Sequence, residues 1–337
     1  MVLSCIGGSR RRFARGCIGA GLALAAMLAA MPGAAAQDYP SRPVKIIVPF
    51  PAGGTADAMP RIIADFLTRK WNQPVIIENR AGAGGNVGGE AAFKSEPDGY
   101  TLFASPPPPL VINQNLYPKL PFDPTQFIPL AVMGKVPNAI LTNSPRLKDV
   151  KTVAEFVAFA KANPGVLNSA TQGIGTTAHL TSELFQQMAG VKFQHIHYRG
   201  SAPAVQDLVA GNVDVAFDNV GAAGALIKAG TIRALGLATE KPVAAFPGVP
   251  TVKETVPGFV VVTWFALVAP PKVPQPIVEK LHSDINEALR DPEVRKRLEN
   301  LSAEVATATL AETAAFFKAE IETWHNVIKQ ANVKLEQ

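Results

Sequence analysis

The residues best placed to do chemistry lie in Pro49-Phe50-Pro51-Ala52-Gly53-Gly54-Thr55-Ala56-Asp57, where an apolar run ends on two glycines and a helix-like pattern begins. Amide N–H groups in the first turn of a helix have no intrahelical acceptor and sit at the positive end of its dipole, so such a loop suits a carboxylate or phosphate. The same residues also make an ordinary turn followed by a helix capped by Thr55 or Asp57, and the lysine of a Walker loop is missing. A second stretch has the same make-up: Ser169-Ala170-Thr171-Gln172-Gly173-Ile174-Gly175-Thr176-Thr177-Ala178-His179. Asp218-Asn219 follows the strand-like VDVAF. A carboxylate there suits a ligand amine, a hydroxyl or an ordered water, and equally an Asx turn.

Other constellations carry less. His195-x-His197 places two imidazoles on one face of a strand, a spacing that metal sites use. With no cysteine and no third ligand evident nearby, no metal is expected. Ser105, His179 and Asp218 supply the types of a hydrolytic triad, but no serine sits in a G-x-S-x-G elbow and Pro106 follows Ser105 directly. A periplasmic hydrolase using the same cleft stands as the alternative to a binding protein. Gly82-Ala83-Gly84-Gly85-Asn86 only loosely approaches the dinucleotide fingerprint, and no matching acid follows a second strand. No cofactor and no catalytic residue is expected.

The elements that must position these loops follow from periodicity. Val44 to Phe50 reads as a buried strand, and Met59, Ile62, Ile63, Phe66 and Leu67 fall on one helix face. A strand over 74–78, a glycine run over 81–85 and a helix over 87–94 repeat the unit, and Tyr100 to Ala104 is a third strand running into the proline loop 105–109. Strand, turn and helix alternating this way predict βα units around a mostly parallel sheet. Ligands collect at the carboxyl ends of such strands, so the loops after Phe50, Glu78 and Ala104 face one rim.

From Asn138 the logic restarts: strands over 138–142, 168–171, 193–198 and 213–217, with helices over 153–162, 177–188 and 202–210. A long strand over 260–269 and helices over 276–289, 292–301 and 310–331 close the chain. The pattern predicts two α/β lobes joined by crossing strands, lobe 1 over 37–138 and 264–337 and lobe 2 over 139–263, with a cleft between them, a common place for a small ligand.

The first 36 residues read as an export leader: Arg10, Arg11, Arg12 and Arg15, an apolar run from Cys17 to Met31, and Ala34-Ala35-Ala36, with cleavage before Gln37. The apolar run is about fifteen residues, short of the roughly 20 that span a bilayer. Ser9-Arg10-Arg11-Arg12-Phe13 matches the twin-arginine pattern, and a plain basic n-region explains it equally well. Both cysteines of the chain, Cys5 and Cys17, lie in this leader, so disulfides and thiolate chemistry are excluded from the mature part. The net charge of +5 falls to about +1 once the four leader arginines are removed, which argues against a nucleic-acid partner. The 337 residues less the leader's 36 leave 301, ample for two domains.

YPSRPVKIIVPFPAGGTAD, VIIENRAGAGGNVG, PDGYTL, NLYPKLPFDP, AKANPGVLNSATQGIGTTAHL, HYRGSAPAVQDLVAGNVDVAFDN and PGFVVVTWFALVAP, in that order along the mature chain, resemble the Bug family. These are the TctC-like extracytoplasmic receptors of tripartite tricarboxylate transporters. The resemblance implies a two-lobe, type II-like periplasmic binding fold with two crossover strands. It also implies a monomer in the periplasm that closes on a carboxylated solute and docks on membrane subunits of the transporter. Carried over by motif, the ligand-binding positions are Phe50, Pro51, Ala52, Gly53, Gly54, Thr55 and Asp57, then Ser105 and Pro106, then Ser169, Ala170, Thr171, Gly175, Thr176 and His179, and Asp218. Two departures stand out. Many relatives read Gly-Gly-Gly-Thr-Asp where this chain has Gly53-Gly54-Thr55-Ala56-Asp57, and Pro106 to Pro109 replace residues that are often polar. A wall with fewer polar groups predicts a less polar, dicarboxylic or aromatic acid.

Overall fold

The computed structural model describes residues 39–331, and the leader with its cleavage site lies outside the described residues. β1 (Val44–Val48) leads through Pro49–Gly54 into α1 (Thr55–Trp71). β2 (Val75–Asn79) leads through the glycine run into α2 (Asn86–Phe93) and then β3 (Thr101–Ser105). β1 pairs in parallel with both β2 and β3, as βα units require. Met59, Ile62, Ile63 and Leu67 of α1 are buried, so the 3.6-residue spacing is that of a helix laid on this sheet.

β4 (Ile128–Thr142) corrects the expected strand over 138–142: it begins ten residues earlier. Pro129, Gly134 and Pro137 interrupt the pattern that sequence reasoning depends on. The ladder absorbs them with register shifts between Pro129 and Ala131 and between Val132 and Gly134. The chain continues through α3 (Val153–Ala162), β5 (Asn168–Thr171), α4 (Thr177–Ala189), β6 (Gln194–His197), α5 (Ser201–Ala210) and β7 (Val215–Asn219). α6 (Val220–Lys228) and β8 (Arg233–Leu237), which periodicity did not predict, come next, followed by β9 (Val262–Ala269), α7 (Gln275–Arg290), α8 (Pro292–Asn300) and α9 (Leu310–Ala331).

The strands run β2-β1-β3-β9-β4-β7-β5-β6, with β8 also paired to β4. β4 is common to both halves. From Ile128 to Pro137 it pairs antiparallel with β9, and from Asn138 onward with β7 and β8. The switch point is pinned by Asn138, whose amide donates to Thr181 Oγ1 at 3.1 Å and whose carbonyl accepts from Thr263 Oγ1 at 2.8 Å. β4 and β9 are therefore the two strands that cross between the lobes.

Aromatic contacts anchor each half of one continuous hydrophobic core. Phe103 stacks on Phe127 in the first, with ring centroids 5.5 Å apart. In the second, Phe185 meets Phe217 at 5.0 Å and Phe259 edge-on at 5.4 Å. Burying each such ring contributes about 1.5–3 kcal/mol. α9 lies against β4, against α4 and against the turn that follows the proline loop. Glu320 on this helix accepts hydrogen bonds from the indoles of Trp264 and Trp324 at 2.6 and 3.1 Å.

Candidate functional site

Helix starts differ in whether the chain caps them itself. Thr152 and Glu155 close α3 with a reciprocal capping box, and Thr176 Oγ1 closes α4 by accepting from the His179 amide. α1 and α5 begin instead at Gly54 and Gly200, with no side-chain cap. The amides of Gly54, Thr55 and Ala56 donate to no protein acceptor among the described residues, and neither do those of Ser201 and Ala202. α6 starts next to them at Asn219, whose Oδ1 accepts from Gly221 N. A deep pocket of about 20 Å³ is lined by Gly54, Thr55 and Ala56 of α1, Ser201 of α5, Asn219 before α6, and Phe50, Pro51, Pro106, Gln172, Thr263 and Phe265. Three helix N-termini thus present positive dipole ends to one small space, which is suited to an anionic head.

Outside it, and sharing Phe50, Pro51 and Gln172, opens a cleft of about 650 Å³. Lobe 1 contributes Ala81 to Gly85 and Tyr117, and lobe 2 contributes Gly173, Ile174, Tyr198, Arg199 and Gly200. Gly82, Gly84 and Gly85 have positive φ, and a Cβ on Gly85 would sit 3.0 Å from the Pro109 ring, so this wall requires glycine. Arg199 is exposed and forms no ion pair among the described residues. Across the floor, Thr55 Oγ1 donates to Asn219 Oδ1 at 2.7 Å, a buried hydrogen bond from one lobe to the other.

Asp57 and Asp218 support this site without lining it. Burial works against the Asp57 carboxylate. Hydrogen bonds from Arg61, Asn79 and the Gly53 amide, together with the Arg61 charge, overcome that and hold its pKa below the usual range. Asp57 Oδ2 accepts from Gly53 N at 3.2 Å, and Asn79, held on Asp57, also donates to Phe50 O at 2.9 Å. The carboxylate therefore shapes the loop that carries Phe50 to Gly54. Asp218 is 2% exposed and accepts from Gln172, from Ser201 Oγ at 2.7 Å, and from the backbone and side chain of Asn219 at 2.6 and 3.0 Å. Burial dominates over those donors and pushes its pKa up to about 6. Its three partners all line the deep pocket, so Asp218 orients the groups that face the ligand space.

Of the positions carried over by motif, Phe50, Pro51, Gly54, Thr55 and Pro106 line the cavities. Ala52 and Gly53 lie in the same loop, with Gly53 facing Ala202 across the cleft. Ser105 is buried, and its hydroxyl donates to Pro106 O. Ser169 pairs with Ser182, Ala170 is buried within β5, and Thr171 Oγ1 bonds His197 Nδ1 at 2.7 Å. Gly175, Thr176 and His179 form the capped start of α4, with Gly175 N donating to His179 Nδ1 at 3.2 Å. The second-lobe helix start open to the cleft is that of α5, and Gly200-Ser201 after a strand was its signal in the sequence. Gln172 and Asn219 lie in stretches the sequence pointed to, while Tyr117, Tyr198, Arg199, Ser201, Thr263 and Phe265 are among the lining residues that sequence reasoning missed. The hydrogen bonds of Ser105, His179 and Asp218 all lead to other residues, so the three form no triad.

The expectation that no third ligand stands near His195 and His197 needs correction. α4 carries His179 and Glu183 one turn apart above β6, with Glu183 Oε1 3.2 Å from His195 Nδ1 and 3.6 Å from His179 Nε2. Hydrogen bonds from both imidazoles hold the Glu183 pKa at about 2. Although His197 is exposed, partial desolvation of its ring and the two neighbouring histidines lower its pKa to about 4.

Two lobes joined by crossing strands, with a cleft floored by helix starts of which two are uncapped, have the architecture of a solute-binding protein. Residues 59–333 match the tripartite tricarboxylate transporter family receptor model. The chain is 38% identical over 304 residues to protein BugT of Bordetella pertussis (strain Tohama I), covering 89% of this chain and 93% of that one. It is 35% identical over 321 residues to the UPF0065 protein in the tcbD-tcbE intergenic region of Pseudomonas sp. (strain P51), covering 94% and 95%. Among solved structures, R. palustris Rpa4515 with adipate superposes with a TM-score of 0.84 at 34% identity, covering 88% of this chain and 99% of that one. MatC from Rhodopseudomonas palustris with bound malate gives 0.81 at 31%, covering 86% and 100%. The chain belongs to the family of tripartite tricarboxylate transporter receptors, the Bug proteins.

Proposed function

We propose that this receptor captures a small dicarboxylic or aromatic acid in the periplasm and presents it, as a monomer, to membrane subunits of a tripartite tricarboxylate-type transporter. The observation that carries the reading is the convergence of the α1, α5 and α6 starts on one pocket. One carboxylate of the solute takes the free amides of Gly54, Thr55, Ser201 and Ala202 together with the second N–H of Gln172, while the Thr55 and Ser201 hydroxyls stay donated to Asn219 and Asp218. The body of the solute lies in the outer cleft between Phe50, Tyr117 and Tyr198, and Arg199 meets a second acidic group. The adipate and malate in two structural relatives support this chemistry. Phe50, Tyr117 and Ile174 on the walls of the outer cleft favour a less polar body.

In this reading lobe 1 comprises 37–138 and 264–337 and lobe 2 comprises 139–263, and each lobe supplies part of the carboxylate's shell. Closure is then selected by a ligand that touches both. The leader 1–36 is removed before Gln37 on export.

The test is native mass spectrometry of the leaderless protein, then thermal shift against mono-, di- and tricarboxylates, aromatic acids and amino acids. A ligand at 100 times its Kd adds about 2.7 kcal/mol, which is several degrees in a chain of this size. Stabilisation confined to one class of acid supports the reading and names the class. No shift with any acid refutes it.

A further inference from the structure

The histidine cluster on lobe 2 lines neither cavity of the cleft, and its geometry is that of a ligand set. Metal–nitrogen and metal–oxygen distances of about 2.0–2.2 Å in a tetrahedral zinc site place neighbouring ligand atoms about 3.4 Å apart. Here Glu183 Oε1 lies 3.2 Å from His195 Nδ1 and 3.6 Å from His179 Nε2. One ligand atom from each of the three residues falls within 4.8 Å of the other two. The four-residue spacing of His179 and Glu183 stacks them on one face of α4, and β6 brings His195 beneath that face.

We propose that His179, Glu183 and His195 form a binding site for a divalent transition cation such as zinc, outside the solute cleft, with His197 at its rim.

Supporting hydrogen bonds suit the assignment. His195 Nε2 lies 3.0 Å from Ser182 Oγ, which lies 3.1 Å from Ser169 Oγ. With metal bound, this relay takes the Nε2 proton and leaves Nδ1 as the ligand atom, the outer-shell pattern that orients metal-bound imidazoles. Thr171 holds His197 through Nδ1 and leaves its Nε2 available, with the ring centroid 5.0 Å from that of His179. His179 and His195 are nearly buried, while the Glu183 side chain is 29% exposed, which gives a cation a way in. The hydrogen bonds that both imidazoles now donate to Glu183 give way to the metal, and the His195 proton passes from Nδ1 to Nε2 and the Ser182 relay. His179 Nδ1 now accepts from Gly175 N at 3.2 Å, so Nε2 carries the proton of the neutral ring. Metal on Nε2 moves that proton to Nδ1, and the Gly175 amide loses its acceptor.

The experiment titrates EDTA-stripped leaderless protein with Co²⁺ and then displaces it with Zn²⁺. The expected result is one equivalent of Co²⁺ with the intense visible absorption of a four-coordinate ion, discharged by Zn²⁺. Glu183→Gln and His195→Gln should each weaken Co²⁺ binding by more than the roughly 10–100-fold that changing an outer partner costs. Co²⁺ bound equally well by both variants, or no such absorption in the unaltered protein, overturns the proposal. In case either variant fails to fold, the Gly175 amide resonance of the unaltered protein is followed during a Zn²⁺ titration. A saturating shift at one equivalent supports the site, and a resonance that does not move overturns it.

Discussion

Replacing Asp218 with asparagine tests the electrostatics of the pocket floor most directly. The substitution keeps the shape and removes the charge. Burial raises the Asp218 pKa from 3.8 to about 6, which is roughly 3 kcal/mol at about 1.36 kcal/mol per pH unit. Because the folded pKa lies above the unfolded one, the group favours folding fully below pH 3.8, and that contribution is lost as pH rises through about 6. Between pH 4.5 and 7.5 the wild type should lose about 2 kcal/mol of this total while Asp218→Asn loses none of it. The variant also turns an amide toward Gln172 or Ser201, which costs about 1 kcal/mol at every pH, so the difference between the two proteins is the informative quantity. At about 2 °C per kcal/mol for a chain of this length, the variant's Tm relative to wild type should climb by about 4 °C across that window. Differential scanning calorimetry of both solute-free proteins in matched buffers measures it. Parallel Tm curves would refute the argument, since they would mean that Asp218 has the same pKa folded and unfolded.

Three further outcomes follow from the cleft. Thr55→Val deletes the 2.7 Å bond to Asn219 and should weaken solute binding about 10-fold by isothermal calorimetry, the worth of one buried hydrogen bond; an unchanged Kd sinks the idea that this bond holds the lobes together. Gly221→Ala would set a Cβ 2.5 Å from Thr55 Oγ1, so closure should fail and affinity drop about 100-fold or more, a cost of at least about 2.7 kcal/mol. An alanine variant that binds normally would show that the lobes close elsewhere. Arg199→Gln should lower both the affinity for a dicarboxylate and its dependence on salt, with less effect on a monocarboxylate. Equal losses for the two acids would remove Arg199 from the distal contact.

Much of the fold could be read from the chain because burial writes a period into sequence. α3, β5 and α9 fall where their patterns predict, and α1 carries its apolar face at the expected spacing. β4 was cut short because two prolines and a glycine break the alternation, and only the β9 ladder, more than a hundred residues away, makes those positions a strand. The site was legible on the lobe 1 side, where strand, glycines and helix are consecutive. On lobe 2 the loop before α4 looked equally suitable, and the difference lay in Thr176, whose cap on its own helix leaves α5 as the open one. Glu183 escaped notice as a partner of His195 because strand and helix spacing say nothing about which residues meet across an α/β layer.

The 15-residue β4 has a consequence for how such a clamp opens. The connection between the lobes is the β4–β9 ladder itself, with Asn138 tied to Thr181 on one side and Thr263 on the other. Loops swing freely, but a paired ribbon resists everything except twist about its own length. Release of the solute should therefore be a torsion of this ribbon around Pro137 and Asn138, with stiffness supplied by the ladder bonds. Substitutions that soften the ribbon would change how long the solute stays without touching any atom that contacts it.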